Sequence, residues 1–269
     1  AAGKGVLVAE DLNSAKNWVD AVMQNSLFGN AGKNILIEEC LYGTELSFMG
    51  ILTPKEFIPF ETSVDYKPLL DGNNGPNTGG MGCISPSPFM NDELKNTVMQ
   101  KVVKPTIDGL NKLGINYYGF MYFGLMVKDN DPKVLEFNCR LGDPETQCLM
   151  MQMESDLVAC LTDALKNNEV SIKWKTGASM GVVIASDGYP GSYKINRRIS
   201  FGNTGNLKVF HAGTRSTNGF LETSGGRVFS VNYHDESLDL CSEYIYKNIE
   251  EVQFDGNIYR KDIGKIYES

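Results

Sequence analysis

The sequence predicts an α+β fold in two parts, the second smaller and richer in strands. Three observations carry this reading. Apolar runs bounded by glycine turns recur through the first part, among them NILIEE, ELSFMGIL, GFMYFGLMV and KVLEFNCR. Two long helical stretches sit among them, at 91–113 and 144–165. After NNEVSIKWKTG the composition shifts to short strands, and a border is placed near residue 170, giving regions 1–168 and 169–269.

In chain order, VLVAE (6–10) follows a glycine turn and is expected to be an apolar strand. Helical spacing of Ala15, Trp18, Val19 and Val22 predicts a helix over 11–24. NILIEE (34–39) is expected to be a buried strand, and Gly43 separates it from a strand over 45–52. EFIPFETSV (56–64) is a further strand candidate, and 65–82 is expected to be a long loop. Asn91 is the expected N-cap of the next helix, with acids in its first turn. GFMYFGLMV, apolar on both faces, should pair with KVLEFNCR across the turn KDNDP. A single helix over 144–165 closes the first part. SMGVVIAS, LKVFHAGT and GGRVFSVNY are strands of the second, followed by a helix from Glu236 to about Glu250.

Bulk composition narrows the function. The chain has 269 residues, 42% hydrophobic, and a net charge of −8 with no basic run, which argues against nucleic acid and anionic membrane partners. No apolar run reaches the ~18 residues of a membrane span, and AAGKGVLVAE does not resemble a signal peptide. Six cysteines without a C-x-x-C pair read as reduced core residues of a cytoplasmic protein. With only His211 and His234, a catalytic triad or zinc cage is not expected.

The chemistry begins at VLEFNCRLGDPETQ (134–147). Side chains alternate along a strand, so Glu136, Asn138 and Arg140 point one way and Leu135, Phe137, Cys139 and Leu141 the other. The second set is expected to be core, in a central strand. The first presents two oxygen ligands suited to Mg²⁺ and a guanidinium suited to a phosphate oxygen. A solvated edge strand is the bland alternative for this face. Asp143, Pro144 and Glu145 then suit a helix start, and capping alone accounts for both acids as well as a functional role does.

Three glycine-bearing stretches add to this. GPNTGGMG (75–82) offers backbone donors together with Asn77 and Thr78, although on composition alone it reads as a plain turn. AAGKGV (1–6) lacks the spacing of a Walker A loop, but a flexible glycine hairpin with one lysine can close over a triphosphate. ILIEECLYGTE (35–45) is a strand end that can pair with an adenine edge, with Glu45 in reach of a ribose, or simply a hairpin between core strands.

Taken together and in this order, these four stretches resemble the glycinamide ribonucleotide synthetases, ATP-grasp enzymes of purine biosynthesis. FHAGT (210–214), GGRV (225–228) and RKDIG (260–264) extend the resemblance over essentially the whole chain. It implies an ATP-grasp region, incomplete at its N-terminus, followed by a smaller β-rich domain. It also implies Glu136 and Asn138 as ligands of Mg²⁺ or Mn²⁺, with backbone of Glu38, Cys40 and Leu41 along the adenine and Glu45 on the ribose. Lys4 and Gly5 fall in the phosphate-covering loop, while Arg140, Lys67, Asn77, Thr78 and Gly79 are the expected catalytic and substrate-side residues. The chain departs from the family at Asp65-Tyr66-Lys67-Pro68, where Asp-His-Lys-Arg is usual, and at Asn73-Asn74, where acids are common.

The reaction implied joins glycine to 5-phosphoribosylamine with ATP, through a glycyl phosphate, giving glycinamide ribonucleotide, ADP and phosphate. Another ATP-grasp carboxylate–amine ligase would share the Glu-x-Asn-x-Arg face but not GPNTGGMG. A non-catalytic ATP-binding fragment would be expected to lose a metal ligand, and both are present. Because AAGKGV opens within a ligand loop, the chain is expected to be cut from something longer, and to be inactive alone. Fusion to further purine-biosynthesis domains is left open.

Overall fold

The computed structural model describes residues 5–266. They form two compact units, one up to Tyr42 and one from Gly43 onward. In the first unit, helix α1 (Leu12–Val19) starts where its cap is written. Asp11 accepts from the Ser14 amide at 2.7 Å while the Ser14 hydroxyl receives the Asp11 amide, a reciprocal capping box. A π-helical turn, Asp20–Gln24, continues it, and Val22 is buried.

The two apolar runs of this unit are not strands. Residues 6–9 and 35–42 lie outside helix and strand, with Leu36 80% and Ile37 83% exposed. A strand is stabilised by its ladder; among the described residues neither run belongs to a strand ladder.

The second unit holds two main sheets. Strands β1 (Thr44–Leu52), β2 (Phe57–Pro59), β3 (Val64–Asp65), β4 (Pro68–Leu70), β5 (Asn74–Asn77) and β6 (Gly82–Ser85) lead to helices α2 (Asp92–Val98) and α3 (Lys104–Lys112). The helices join through a π-helical turn, Met99–Val103, and Asn91 caps α2 by accepting from the Leu94 amide. The expected loop at 65–82 therefore contains a small hairpin, β4 against β5. Strands β7 (Gly119–Lys128) and β8 (Asp131–Asn138) follow, joined by a turn whose Asp129 and Asn130 both take positive φ.

The expected helix over 144–165 is two helices, α4 (Glu145–Gln152) and α5 (Leu157–Lys166). Met153 leaves the helix in extended conformation and bridges Trp174, and the Asp156 carboxylate then caps a new helix at the Val158 and Ala159 amides. Beyond lie β9 (Ala178–Ser186), β10 (Ile199–Phe201), β11 (Lys208–His211), β12 (Thr214–Thr217), β13 (Phe220–Thr223) and β14 (Arg227–Asp235). Helix α6 (Leu238–Asn248) and strands β15 (Val252–Phe254) and β16 (Asn257–Ile258) complete the chain.

One sheet has the antiparallel order β2-β1-β7-β8; the other runs β11-β14-β9-β6-β3 with β16 also on β9. Face alternation in the first sheet decides what it positions. Leu46, Phe48, Met121, Phe123 and Leu125 pack against Leu94, Val98, Val102 and Val103 of the α2–α3 run. The opposite face carries Glu45, Ser47 and Met49 beside Met126, Gly124 and Tyr122, with Glu136 and Asn138 next across. Part of that face packs on α4 and α5 through Leu149, Met153 and Cys160. The second sheet packs on α6 through Cys241 and Ile245.

Two expectations for β8 need correction. The strand is the edge of its sheet, not a central strand, among the described residues. The register also slips at one point, because Gly124 faces Glu136 while Leu125 faces Val134, which leaves Leu135 bulged out. Leu135 and Cys139 are consequently exposed, and Phe137 is 53% exposed although its ring meets Phe123 edge-on. Only Leu141 of the expected core set packs into a buried cluster. Of the six cysteines, all free, Cys40 and Cys139 are exposed and the rest buried.

Candidate active site

Past the bulge the pairing is regular. Glu136 and Asn138 thus share a face, with Phe137 opposite. Ser47, Gly124 and Glu136 form one row across three strands. A Cβ on Gly124 would stand 3.0 Å from Glu136 Cγ and 3.3 Å from Tyr122 Cε1, so glycine keeps the space beside the carboxylate open. Arg140, beyond the end of β8, is exposed and donates to its neighbour's carbonyl, Leu141 O, at 2.9 Å.

An open cleft of about 260 Å³ adjoins this face, lined by Glu45, Asp65, Lys67, Asn73, Asn77 and Lys265 among others. Lys67 pairs with Glu45 across it. Burial alone would lower the Lys67 ammonium, but the carboxylates of Glu45, Asp65 and Glu136 outweigh it, and its pKa is raised. The lysine is cationic throughout the neutral range.

Two buried carboxyls stand behind it. Glu145 is 3% exposed and accepts from Ser47 Oγ at 2.9 Å, and Ser47 also shares a hydrogen bond with the Tyr122 hydroxyl. Burial pushes Glu145 up, partly offset by hydrogen bonds from the helix start, Ser47 and Tyr122 and by the Lys67 charge. Asp65 is pushed well up, first by burial and then by Glu145, and its Oδ1 is buried with no hydrogen-bond partner.

The loop 77–80 closes the cleft. Thr78, buried, donates from its hydroxyl and its amide to the Lys67 carbonyl, and its Oγ1 accepts from the Gly80 amide at 2.9 Å. Its role is to shape the loop. Gly80 takes φ +109, and a Cβ there would strike Pro144 Cδ at 2.4 Å and Asp65 Oδ1 at 2.5 Å. Gly79 and Gly80 lie against Arg227, and Asn77 is exposed on the cleft side.

The structure therefore brings Glu45, Lys67, Asn77, Thr78, Gly79, Glu136 and Asn138 into one unit around one sheet face. Arg140 is in the same unit just past β8, its guanidinium donating to Leu141 O; the other expected residues lie elsewhere. Lys4 falls outside the described residues, Gly5 is in a turn of the first unit, and Glu38, Cys40 and Leu41 are in its irregular stretch. Asp143 does not cap α4, whose N-cap is Pro144 without a side-chain bond. Its carboxylate is taken by Arg227 at 3.0 Å, a charge-assisted bond stronger than a neutral cap. Asp65, Ser47, Tyr122 and Arg227 were not legible as site residues, and Glu145 reads equally as a helix start or as a functional residue. Each is placed by contacts between distant segments, although the Asp65-Tyr66-Lys67 run and the GGRV motif marked two of them.

For a divalent cation, Glu136 and Asn138 supply two oxygen donors, one anionic, on an open face. That donor set fits Mg²⁺ or Mn²⁺, which keeps water and shares phosphate oxygens. No cluster of three or more His, Cys, Asp or Glu suited to a metal occurs among the described residues.

The architecture is that of the ATP-grasp class. A biotin carboxylase domain from Hydrogenobacter thermophilus, solved with MgADP and bicarbonate, superposes with a TM-score of 0.69 over 96% of this chain and 56% of that one, at 14% identity. The family models for phosphoribosylglycinamide synthetase match twice, its ATP-grasp (A) domain over residues 1–146 and its C domain over 179–266. The chain belongs to the phosphoribosylglycinamide synthetase family. A phosphoribosylamine–glycine ligase of Clostridium acetobutylicum is 42% identical over 98% of this chain, which spans 64% of that protein. The crystal structure of a phosphoribosylamine–glycine ligase from Thermotoga maritima superposes with a TM-score of 0.86 at 32% identity, covering 97% of this chain and 66% of its own. The chain thus spans about two thirds of these relatives' lengths.

Proposed function

We propose that this protein acts as a phosphoribosylamine–glycine ligase, forming glycinamide ribonucleotide from ATP, glycine and 5-phosphoribosylamine. The observation that carries the proposal is the sheet face itself. It sets Glu136 and Asn138 beside a glycine-made gap and next to a cleft whose loop is the family's GPNTGG segment.

The chemistry has two displacements. The glycine carboxylate attacks the γ-phosphoryl group, releasing ADP and giving glycyl phosphate. The amine of 5-phosphoribosylamine then attacks the acyl carbon, phosphate leaves, and the amine proton goes to solvent or a nearby base. No protein nucleophile is needed; the residues hold and orient. Lys67, cationic at neutral pH, offsets negative charge at the cleft, and Arg140 at the strand end offers an exposed guanidinium to phosphate oxygens. Asn77 and Glu45 line the cleft; by the family resemblance Asn77, Thr78 and Gly79 are assigned to the side of the glycine and amine, and Glu45 to the ribose. Glu38, Cys40 and Leu41 of the first unit are assigned to the adenine, with Lys4 and Gly5 on the phosphates. A divalent cation on Glu136 and Asn138 supplies charge neutralisation of the phosphates when bound.

The regions proposed are an ATP-grasp region over 1–168 and a C-terminal domain over 169–269, supported by family matches that end at 146 and resume at 179. A cytoplasmic setting is supported by six unpaired cysteines. Among the described residues no helix is long and apolar enough to cross a membrane.

The test is ADP release by the full-length protein from its native reading frame. Release should require both glycine and 5-phosphoribosylamine, and Glu136→Gln should lower kcat by about 10²-fold or more. Turnover that is indifferent to the amine, or a Glu136→Gln protein within threefold of the parent, would refute the assignment.

A further inference from the structure

The GGRV motif has no part in the chemistry above, yet its arginine reaches the substrate loop. Arg227, at the start of β14, keeps its side chain only 20% exposed. Its Nη1 donates to Gly79 O at 2.5 Å, Asp143 O at 2.7 Å and, more weakly, Gly80 O at 3.4 Å. Nη2 donates to Asp143 Oδ2 at 3.0 Å. From the other side, the Tyr189 hydroxyl accepts the Gly79 amide at 2.9 Å. A Cβ on Gly79 would stand 3.1 Å from the guanidinium carbon and 3.2 Å from the Tyr189 oxygen, so the grip closes on bare backbone.

Two segments far apart in sequence meet at this one side chain. One is the loop that closes the cleft; the other is the residue that leads from the end of β8 into α4. Their separation is fixed by a planar fork whose donors point at both. We propose that Arg227, assisted by Tyr189, is a positioning residue that sets the 77–80 loop against the strand end carrying Glu136 and Asn138, and thereby controls affinity for glycine and 5-phosphoribosylamine. The proposal rests on the ligase reading for its substrates, but the grip itself can be measured without turnover.

The experiment has two arms in the full-length protein. In the first, Arg227→Ala should raise KM for glycine and for the amine about tenfold each, with KM for ATP within twofold and kcat near the parent's, so that kcat/KM for each of the two falls about tenfold. Arg227→Lys should recover little, because one ammonium cannot span both segments, whereas added guanidinium should restore activity to Arg227→Ala. Tyr189→Phe, which keeps the ring, should shift the same two KM values in the same direction by less. In the second arm, amide hydrogen exchange at Gly79, Gly80 and Met81 should accelerate in Arg227→Ala while β9 and β14 stay protected. Unchanged exchange in the loop, or unchanged KM values with kcat falling only in proportion to folded protein, would overturn the proposal. If the parent protein fails to release ADP with both substrates, the ligase reading falls and the exchange arm alone decides whether Arg227 holds the loop.

Discussion

At the residue scale, the buried pair Asp65 and Glu145 is held against its own charge. Burial raises both, and the Glu145 charge raises Asp65 further, in a pocket where Asp65 Oδ1 has no hydrogen-bond partner. A carboxyl raised in the fold binds its proton more tightly there than in the unfolded chain. Across the interval between the two pKa values the folded state carries more protons, so stability falls as pH rises through it. Asp65→Asn, similar in shape and uncharged, should therefore raise Tm by roughly 2–4 °C at pH 8 and leave it near the parent's at pH 4. Calorimetry at the two pH values checks this; an equal loss at both would mean that the Asp65 carboxylate stabilises the fold. Such strain is stored where a site needs it, and its relief by mutation should come at a functional cost.

Elements were legible in the sequence where pattern alone decides them. The 119–128 strand announced itself by an apolar run on both faces, its hairpin partner by a short polar turn, and α2 by Asn91. Elsewhere partners decide. NILIEE has the composition of a buried strand and none of the pairing, and no spacing within it could reveal that. The α4–α5 break depends on Met153 finding Trp174, although Ser155-Asp156 carried the new cap in plain sight. For β8 the two-residue period placed Glu136 and Asn138 together correctly, but one bulged residue and an edge position undid the burial of the other face. The cavity cost expected for a core phenylalanine, 3–5 kcal/mol, accordingly does not apply to Phe137. Phe137→Ala should cost about 1–2 kcal/mol, the share of a half-exposed ring that also meets Phe123. A urea midpoint shift matching more than 3 kcal/mol would place that ring in the core.

At the scale of the whole molecule, the second region reaches back to shape the first. Arg260, 1% exposed, makes two 2.7 Å bonds to Asp262 and two at 3.0 Å to Pro68 O and Asn73 Oδ1. Asp262 Oδ2 in turn accepts the Gly72 amide, so the RKDIG motif pins the β4–β5 hairpin beside the cleft. Removing one partner of a buried ion pair is costlier than removing both. Arg260→Met should lose about 3–5 kcal/mol in urea unfolding, and Arg260→Met/Asp262→Leu should recover much of it; a double variant no better than the single would show that the pair is not the source. Both RKDIG and GGRV act across the proposed border near residue 170, and so does the sheet itself. In the order β11-β14-β9-β6-β3, strands from before and after that border are hydrogen-bonded neighbours. Within the unit from Gly43 onward, the two sides of the proposed border are therefore matched by separate family models yet share one sheet. Neither side could be lifted out by recombination and spliced to a foreign gene as a self-sufficient cassette, because the cut would leave two strands of the sheet on one side and four on the other. The lineage must inherit this stretch whole.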